Sequence, residues 1–312
     1  MSGRAQAAWL PDGRLHLHHG PIDLIVSAEA AGRDPAGATV EGGARPGADA
    51  GTALAAAAAR FETVLDELVA ELPLLRAPVD ADAPPAVAGV IARRMVAAVR
   101  PWARVGFITP MAAVAGAVAD EILAAMRAAA PLAKAIVNNG GDVALWLAPG
   151  QRTVAAVAGG APARLELSAR DGIGGVATSG WRGRSHSLGI ADAVTVLAAS
   201  AAAADAAATM IANAVDLPGH PSVRRRPACE IAPDSDLGAL PVTVAVGALT
   251  GEERARALAC GARRAREAAG EGLIRAAFLS LGGDACAIGA PLGICTQGEE
   301  QDRERNQRRA RP

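Results

Sequence analysis

The chain has 312 residues, a formal net charge of −1, no Tyr, three Phe, four Trp and four Cys. So neutral a balance argues against a nucleic-acid surface, which needs a basic stripe. Cys229, Cys260, Cys286 and Cys295 form no C-x-x-C pair, so zinc-ribbon and thioredoxin readings have no support and reduced thiols of a cytoplasmic protein are expected.

The N-terminal stretch "MSGRAQAAWLPDGRLHLHHG" lacks the apolar run of a secretory signal. Residues 14–28 alternate around Gly20-Pro21 and predict a strand pair. His16 and His18 share one side of it, a pattern commoner on edge strands than in metal sites. Residues 28–51 are rich in Gly, Ala and Pro and read as a flexible loop. Phe61, Val64, Leu65, Leu68 and Leu72 fall at helical spacing and predict a helix over 52–72. A second helix is expected over 86–100, and a third, built of small residues, after Pro110.

Short strands are expected at 134–138, 142–148, 153–158 and 164–168. Residues 193–215, "AVTVLAASAAAADAAATMIANAV", could span a bilayer by length alone. The β-branched opening and Asp205 in the middle favour a strand followed by a buried helix, and no membrane span. The stretch 216–238 reads as irregular. A strand (241–247), a helix (251–269) and two strands (272–280 and 284–289) follow. Residues 297–312 are charged, lack apolar anchors and read as a disordered tail, so one domain over 1–296 is expected. Mixed blocks of helix and strand argue for an α+β fold. "VNNGGDVALWL" is echoed by "LSLGGDACAIG", which would suit a duplicated structural unit.

Three constellations could carry chemistry. Asp205 and Thr209 lie four apart on the predicted helix, hence on one face, with Asn213 one turn further. A carboxylate and a hydroxyl are hard oxygen ligands of the kind Mg²⁺ takes, with phosphate and water completing its shell. The alternative is an exposed stripe on a solvated helix. The turn Asn138, Asn139, Gly140, Gly141, Asp142 could hold a heterocycle's polar edge or a ribose, since Gly lets backbone approach a ligand closely; a plain hairpin turn is the alternative. In "GGVATSGWRGRSHSLG", Thr178, Ser179 and Gly180 offer hydroxyls and amides, Arg182 and Arg184 offer phosphate partners, and His186 offers an acid or base near neutral pH. A polar surface loop is the alternative there.

The order of these segments is more informative than each alone. A small-residue helix, "NNGGD", "ATSG", "VTV" and "ADAAAT" follow one another as in the ApbE superfamily, which this chain resembles over roughly residues 105–215. The resemblance implies an ApbE-like, T-fold-related α+β architecture with mixed or antiparallel sheets and packed helices. It also implies FAD or FMN as ligand, Mg²⁺ on Asp205 and Thr209, and a flavin pocket near Asn138–Asp142 and Thr178–Arg182. Two departures set the chain apart from the true FAD:protein FMN transferases. Ala115 stands in "VAGAVAD" where their A-K-G-x-x-x-D helix has Lys, and thirteen residues between Gly180 and Val194 leave no room for their H-I-I-D-P-x-T-G segment. "PMAAVAGAVAD" and "G-x-A-D-A-V-T-V" are similar to a sister group within the superfamily. The expected function is therefore Mg²⁺-assisted binding of a flavin nucleotide, with FMN transfer or FAD pyrophosphate cleavage. The alternatives are a non-catalytic flavin- or pterin-binding protein and an enzyme acting on another heterocycle. The Ala-rich faces would suit a homodimer or a monomer's own core, and a protein acceptor for a transferred FMN is not named by the sequence.

Overall fold

The computed structural model describes residues 4–31, 48–157, 163–183, 185–289 and 294–296. Fourteen strands fall among these residues. They are β1 (Gln6–Trp9), β2 (Leu15–His19), β3 (Ile22–Ala30), β4 (Leu132–Asn139), β5 (Asp142–Leu147), β6 (Arg152–Val157), β7 (Ala163–Ser168), β8 (Gly175–Ser179), β9 (Ala193–Ala198), β10 (Val223–Pro227), β11 (Pro241–Val246), β12 (Ala276–Leu281), β13 (Asp284–Gly289) and β14 (Ile294–Thr296). The α-helices are α1 (Ala48–Ala70), α2 (Leu72–Leu75), α3 (Val90–Val99), α4 (Val114–Ala129), α5 (Ala201–Ala214), α6 (Ala228–Ile231) and α7 (Gly251–Gly270).

Nine strands form one sheet in the order β1-β2-β3-β4-β5-β8-β9-β12-β13. Every neighbouring pair in it is antiparallel. The α+β expectation therefore holds, with hairpins and helices in blocks rather than βαβ crossovers. The sheet divides into two like halves. A hairpin (β2–β3), helices including α1 and α4, and a second hairpin (β4–β5) make the first. A hairpin (β8–β9), helices α5 and α7, and a second hairpin (β12–β13) make the other. The halves join along β5 and β8 through Val143–Val176 and Ala144–Gly175. The echo between the two Gly-Gly-Asp stretches thus marks corresponding hairpin tips.

The helices cover one face of the sheet. Leu17, Leu24, Val137, Ala144, Ala177, Val194 and Val196 point towards them and are buried. The alternate residues Leu145, Leu147, Val176 and Leu197 point the other way and pack on Leu165 and Leu167 of the small β14-β7-β6 sheet. This is the period-two geometry of strands at work. Helix α5 approaches the sheet closely, and its small residues make that approach possible. A Cβ on Gly175 would stand 2.2 Å from Ala201 N, and one on Gly116 in α4 would stand 2.3 Å from Ala201 O. No atom fits at such separations, so the start of α5 is wedged between β8 and α4 with backbone in close contact on both sides.

Some expectations need adjusting. Of the residues expected to form a loop over 28–51, 28–30 belong to β3 and 48–51 to α1. Its centre, 32–47, and the tail 297–312 lie outside the described residues. The stretch 216–238, read as irregular, contains β10 and α6. Three Arg and a Pro hid β10, a strand that alternates half-buried and exposed but carries Arg225 and Pro227 rather than apolar side chains at two of its three half-buried positions. Residues 193–215 form β9 and the mostly buried α5, as expected. Among the described residues no helix is long and apolar enough to cross a membrane.

Candidate functional site

The candidate site lies where α4, α5 and the first hairpin tip meet. Asn139 and Asp142 pair across the end of β4–β5 and enclose Gly140 and Gly141. Both Gly have positive φ, 63° and 115°, as a two-residue type I′ hairpin loop requires. Asn138 Oδ1 accepts the Gly141 N–H at 2.8 Å and braces the turn.

Alternation then splits the segment between two faces. Asn139 is buried on the helix side, where its Nδ2 donates to Ala115 O at 3.0 Å. Asp142 follows the parity of Ala144 and faces the helices too. Its Oδ1 accepts the Thr178 N–H at 3.4 Å. Asn138, Gly140, Gly141 and the Thr178 side chain line a cavity of about 580 Å³ on the opposite face, with Val143, Val154 and Val176. The Thr178 hydroxyl is engaged there with that of Thr195 at 2.8 Å.

Asp205 comes from α5 on the helix side. Its Oδ2 accepts the Gly116 N–H at 3.1 Å, in the first turn of α4, where unpaired N–H groups favour an anion. Even so, its pKa stands well above the usual carboxylate range. Burial is the largest cause, the charge of Asp142 the next, and Asp120 adds to it; the backbone N–H groups of Gly116 and Ala115 oppose the rise without cancelling it. Taken as a whole residue, Asp205 is half-buried. Asp120, also raised by burial, accepts the N–H groups of Ala201 and Ala202 at 2.9 Å each and ties the start of α5 to α4.

Thr209 and Asn213 continue the stripe from Asp205 down α5. Asn213 Oδ1 accepts from Ser187 Oγ at 3.1 Å and from Leu188 N at 2.9 Å, which draws the 186–189 loop against the helix. His186 therefore lines a small pocket with Thr209 and Asn213. Ser179 shares the helix side with Ala177. Gly180 is a close-approach position, since a Cβ there would stand 2.4 Å from Asp192 O. Arg182 lies elsewhere. It stacks over Trp181 and donates to Asp192 at 2.8 Å, beside the second hairpin tip. Arg184 lies outside the described residues.

The structure thus brings together Asn139, Asp142, Asp205, Thr209 and His186, along one side of α5 and its neighbours. It sets Asn138, Gly140, Gly141 and Thr178 towards the opposite face, and Arg182 at the other tip. Sequence reasoning missed Gly116 and Asp120, although the spacing "GAVAD" carried them as the Gly and Asp of the helix pattern. Among the described residues no group of three or more His, Cys, Asp or Glu side chains could by itself hold a metal ion. Cys229, Cys260 and Cys286 are free thiols.

A UPF0280 protein of Methanothrix thermoacetophila is 39% identical over 164 residues, 49% of this chain and 64% of the relative. A UPF0280 protein of Methanocella arvoryzae is 39% identical over 160 residues, 50% of this chain and 63% of the relative. The chain therefore spans somewhat less than two thirds of the length of these curated relatives. Among solved structures, the apo form of the flavinyl transferase ApbE of Pseudomonas stutzeri aligns over 96% of this chain and 97% of its own, at 12% identity and a TM-score of 0.45. The family model described as AbpE bacteria matches residues 7–287, nine tenths of the sequence, and the chain belongs to that family.

Proposed function

We propose that the protein binds a flavin nucleotide, FAD or FMN, through Mg²⁺ held on the α5 stripe. The observation that carries this reading is that two carboxylates, Asp205 held by the Gly116 N–H and Asp142 held by the Thr178 N–H, both turn to the helix side of the sheet, where the charge of one raises the pKa of the other. Like charges set together and withdrawn from water are unfavourable unless a cation joins them. The donors suit Mg²⁺, which needs one or two carboxylates, a neutral oxygen and ligand phosphate rather than a full protein cage. Asp205 and Asp142 would supply the charge and Thr209 the neutral oxygen. The Gly116 N–H aims Asp205, and Asp120 holds the helix that carries both α5 ligands. When bound, Mg²⁺ offsets charge on a leaving phosphate. His186, two turns along the stripe, would take or give a proton at its imidazole.

The ordered resemblance to the ApbE superfamily supports flavin as the nucleotide, and the free thiols Cys229, Cys260 and Cys286 suit a cytoplasmic location. FMN transfer to a protein acceptor, or cleavage of the FAD pyrophosphate, is the finer reading. Binding of a flavin or pterin without chemistry is the second reading, favoured by Ala115 in place of Lys and by the missing His-containing segment. Release of AMP from FAD with Mg²⁺ separates the two.

The metal reading is tested by titrating Mg²⁺ against FMN and FAD binding in the wild type, Asp205→Asn, Thr209→Val and the double variant. Asp205→Asn should lose most of the Mg²⁺ dependence, Thr209→Val less, and the two should be non-additive because they share one site. Additive losses of stability with an unchanged Mg²⁺ response would make the stripe structural, and wild-type affinity indifferent to Mg²⁺ would remove the metal.

A further inference from the structure

The α5 stripe does not end at Thr209. It runs into a small pocket lined by Phe107, Thr109, His186, Thr209, Asn213 and Asp236, among others, with a volume of about 30 Å³. That is room for about one water molecule. Planar heterocycles need pockets of several hundred Å³ with apolar walls and a few polar tips. The walls are of that kind, since Phe107, Ile108, Leu188 and Leu237 alternate with the polar groups, but the volume is not.

The roof explains the difference. Asp236 and Leu237 belong to the segment 232–240 between α6 and β11. Its backbone bonds are local: Cys229 N donates to Gly238 O, Ser235 N to Ala232 O, and Leu240 N to Leu237 O. Among the described residues, one hydrogen bond links this segment to the main body. The Thr109 hydroxyl, 1% exposed, donates to Asp236 Oδ2 across 127 positions of sequence. A segment with local bonds and a single distant tie opens at low cost.

Phe107 stands beside the pocket, 36% exposed. The chain has only two other Phe. Phe61 is 1% exposed in the core, and Phe278 packs on the second cluster. A ring left at the mouth of a polar stripe has a face to offer a ligand.

We infer that segment 232–240 is a lid, latched by the Thr109–Asp236 bond, over a subsite in which a planar heterocycle stacks on Phe107. This rests on the proposed function, for the heterocycle would belong to the nucleotide whose phosphate meets Mg²⁺ at Asp205. The hydrogen-bonding edge of the ring would meet His186 and Asp236 once the lid has moved.

The test uses the full chain with saturating Mg²⁺ and titrates FMN and, separately, inorganic pyrophosphate. Phe107→Leu should weaken FMN about tenfold, the usual loss on removing an aromatic stacking partner. Phe107→Trp should keep FMN affinity, and pyrophosphate should bind alike in all three. Thr109→Val should speed amide hydrogen exchange in 232–240 without ligand, and FMN should slow that exchange in the wild type. Unchanged FMN affinity in Phe107→Leu, or FMN binding that leaves exchange in 232–240 untouched, overturns the inference. A wild type that binds pyrophosphate with Mg²⁺ but no flavin also overturns it and leaves the metal reading standing. FMN binding that ignores Mg²⁺ and Asp205 yet falls in Phe107→Leu supports it and removes the metal reading.

Discussion

The two Gly-Gly-Asp hairpin tips begin from the same local chemistry and arrive at opposite electrostatics. Each is a two-residue loop with both Gly at positive φ, 63° and 115° at Gly140 and Gly141, 57° and 89° at Gly282 and Gly283. Each is approached by the first turn of a helix, α4 at the first tip and α7 at the second. At the second tip that turn brings Arg254, whose Nε donates to Asp284 at 2.7 Å. Asp192 closes the same tip by accepting from Gly282 N at 2.6 Å and from Arg182 at 2.8 Å. At the first tip the approaching turn brings Gly116 instead, and its bare N–H meets Asp205 opposite Asp142. Among the described residues, Arg254 and Arg182 meet the carboxylates of the second tip, while at the first the charge of Asp142 bears on Asp205. Two like hairpin tips thus meet unlike helix turns, Arg254 at one and the bare N–H of Gly116 at the other.

The largest effect should come from removing the Gly that distinguishes the first tip. Gly116→Val would press against the Ala201 carbonyl, which is backbone and cannot swing aside. A loss of about 3 kcal/mol is expected from overpacking of this kind. Urea unfolding measures it, and a loss below about 1 kcal/mol would show that α4 and α5 are not wedged.

A middle-sized effect should follow from relieving the charge at that tip. Asp142→Asn removes a repulsion on Asp205 and should raise the melting temperature by ~2 °C near pH 7, the response to about 1 kcal/mol in a large domain. The folded pKa of Asp205 lies above its unfolded value, so the folded state binds the extra proton between the two. Stability should therefore fall as pH rises through that window, and less so in Asp142→Asn. Thermal melts of both proteins between pH 4 and 8 check this. Parallel profiles would mean that Asp142 does not govern Asp205.

At the second tip the corresponding cut should do less. Arg254→Ala breaks a pair in which Asp284 is 47% exposed, and such surface pairs contribute at most about 1 kcal/mol. A larger loss in urea would show that Arg254 holds the α7 end by more than its charge. The smallest effect belongs to Glu253 in the same turn. Hydrogen bonds from the Thr250 backbone, His220 and the Thr250 hydroxyl lower its pKa to about 2. Its stabilising share is complete above pH 4.5 and is lost as pH falls towards 2, opposite in sign to Asp205. Glu253→Gln should flatten the acid limb of the stability curve, and an unchanged limb would mean that other carboxylates set it.

Much of the fold was legible. The 3.6-residue spacing of Phe61, Val64, Leu65 and Leu68 marked α1, and its core residues are buried. Paired Gly marked both hairpin tips. The buried strand-then-helix reading of residues 193–215 followed from Asp205 and the β-branched opening. Less of the site was legible. Asn138 and Asn139 look alike in sequence, yet one turns to the 580 Å³ cavity and the other to Ala115. Arg182 looked like a phosphate ligand, but Asp192, ten residues on, takes its Nε.

The sequence by itself determined the class of the fold, the places of most elements and the chemical kinds of residue near α5. Periodicity, turn residues and motif order are local properties, and the unfolded chain already carries them. Only the tertiary structure decided which face each residue serves and which charges meet. Alternation states that Asn138 and Asn139 point opposite ways but not which way the helices lie. The contacts that aim and charge Asp205 reach across long separations, as with Gly116 to Asp205 and Asp120 to Ala201. Close packing of small residues makes those meetings, and it acts only once both halves of the sheet have joined.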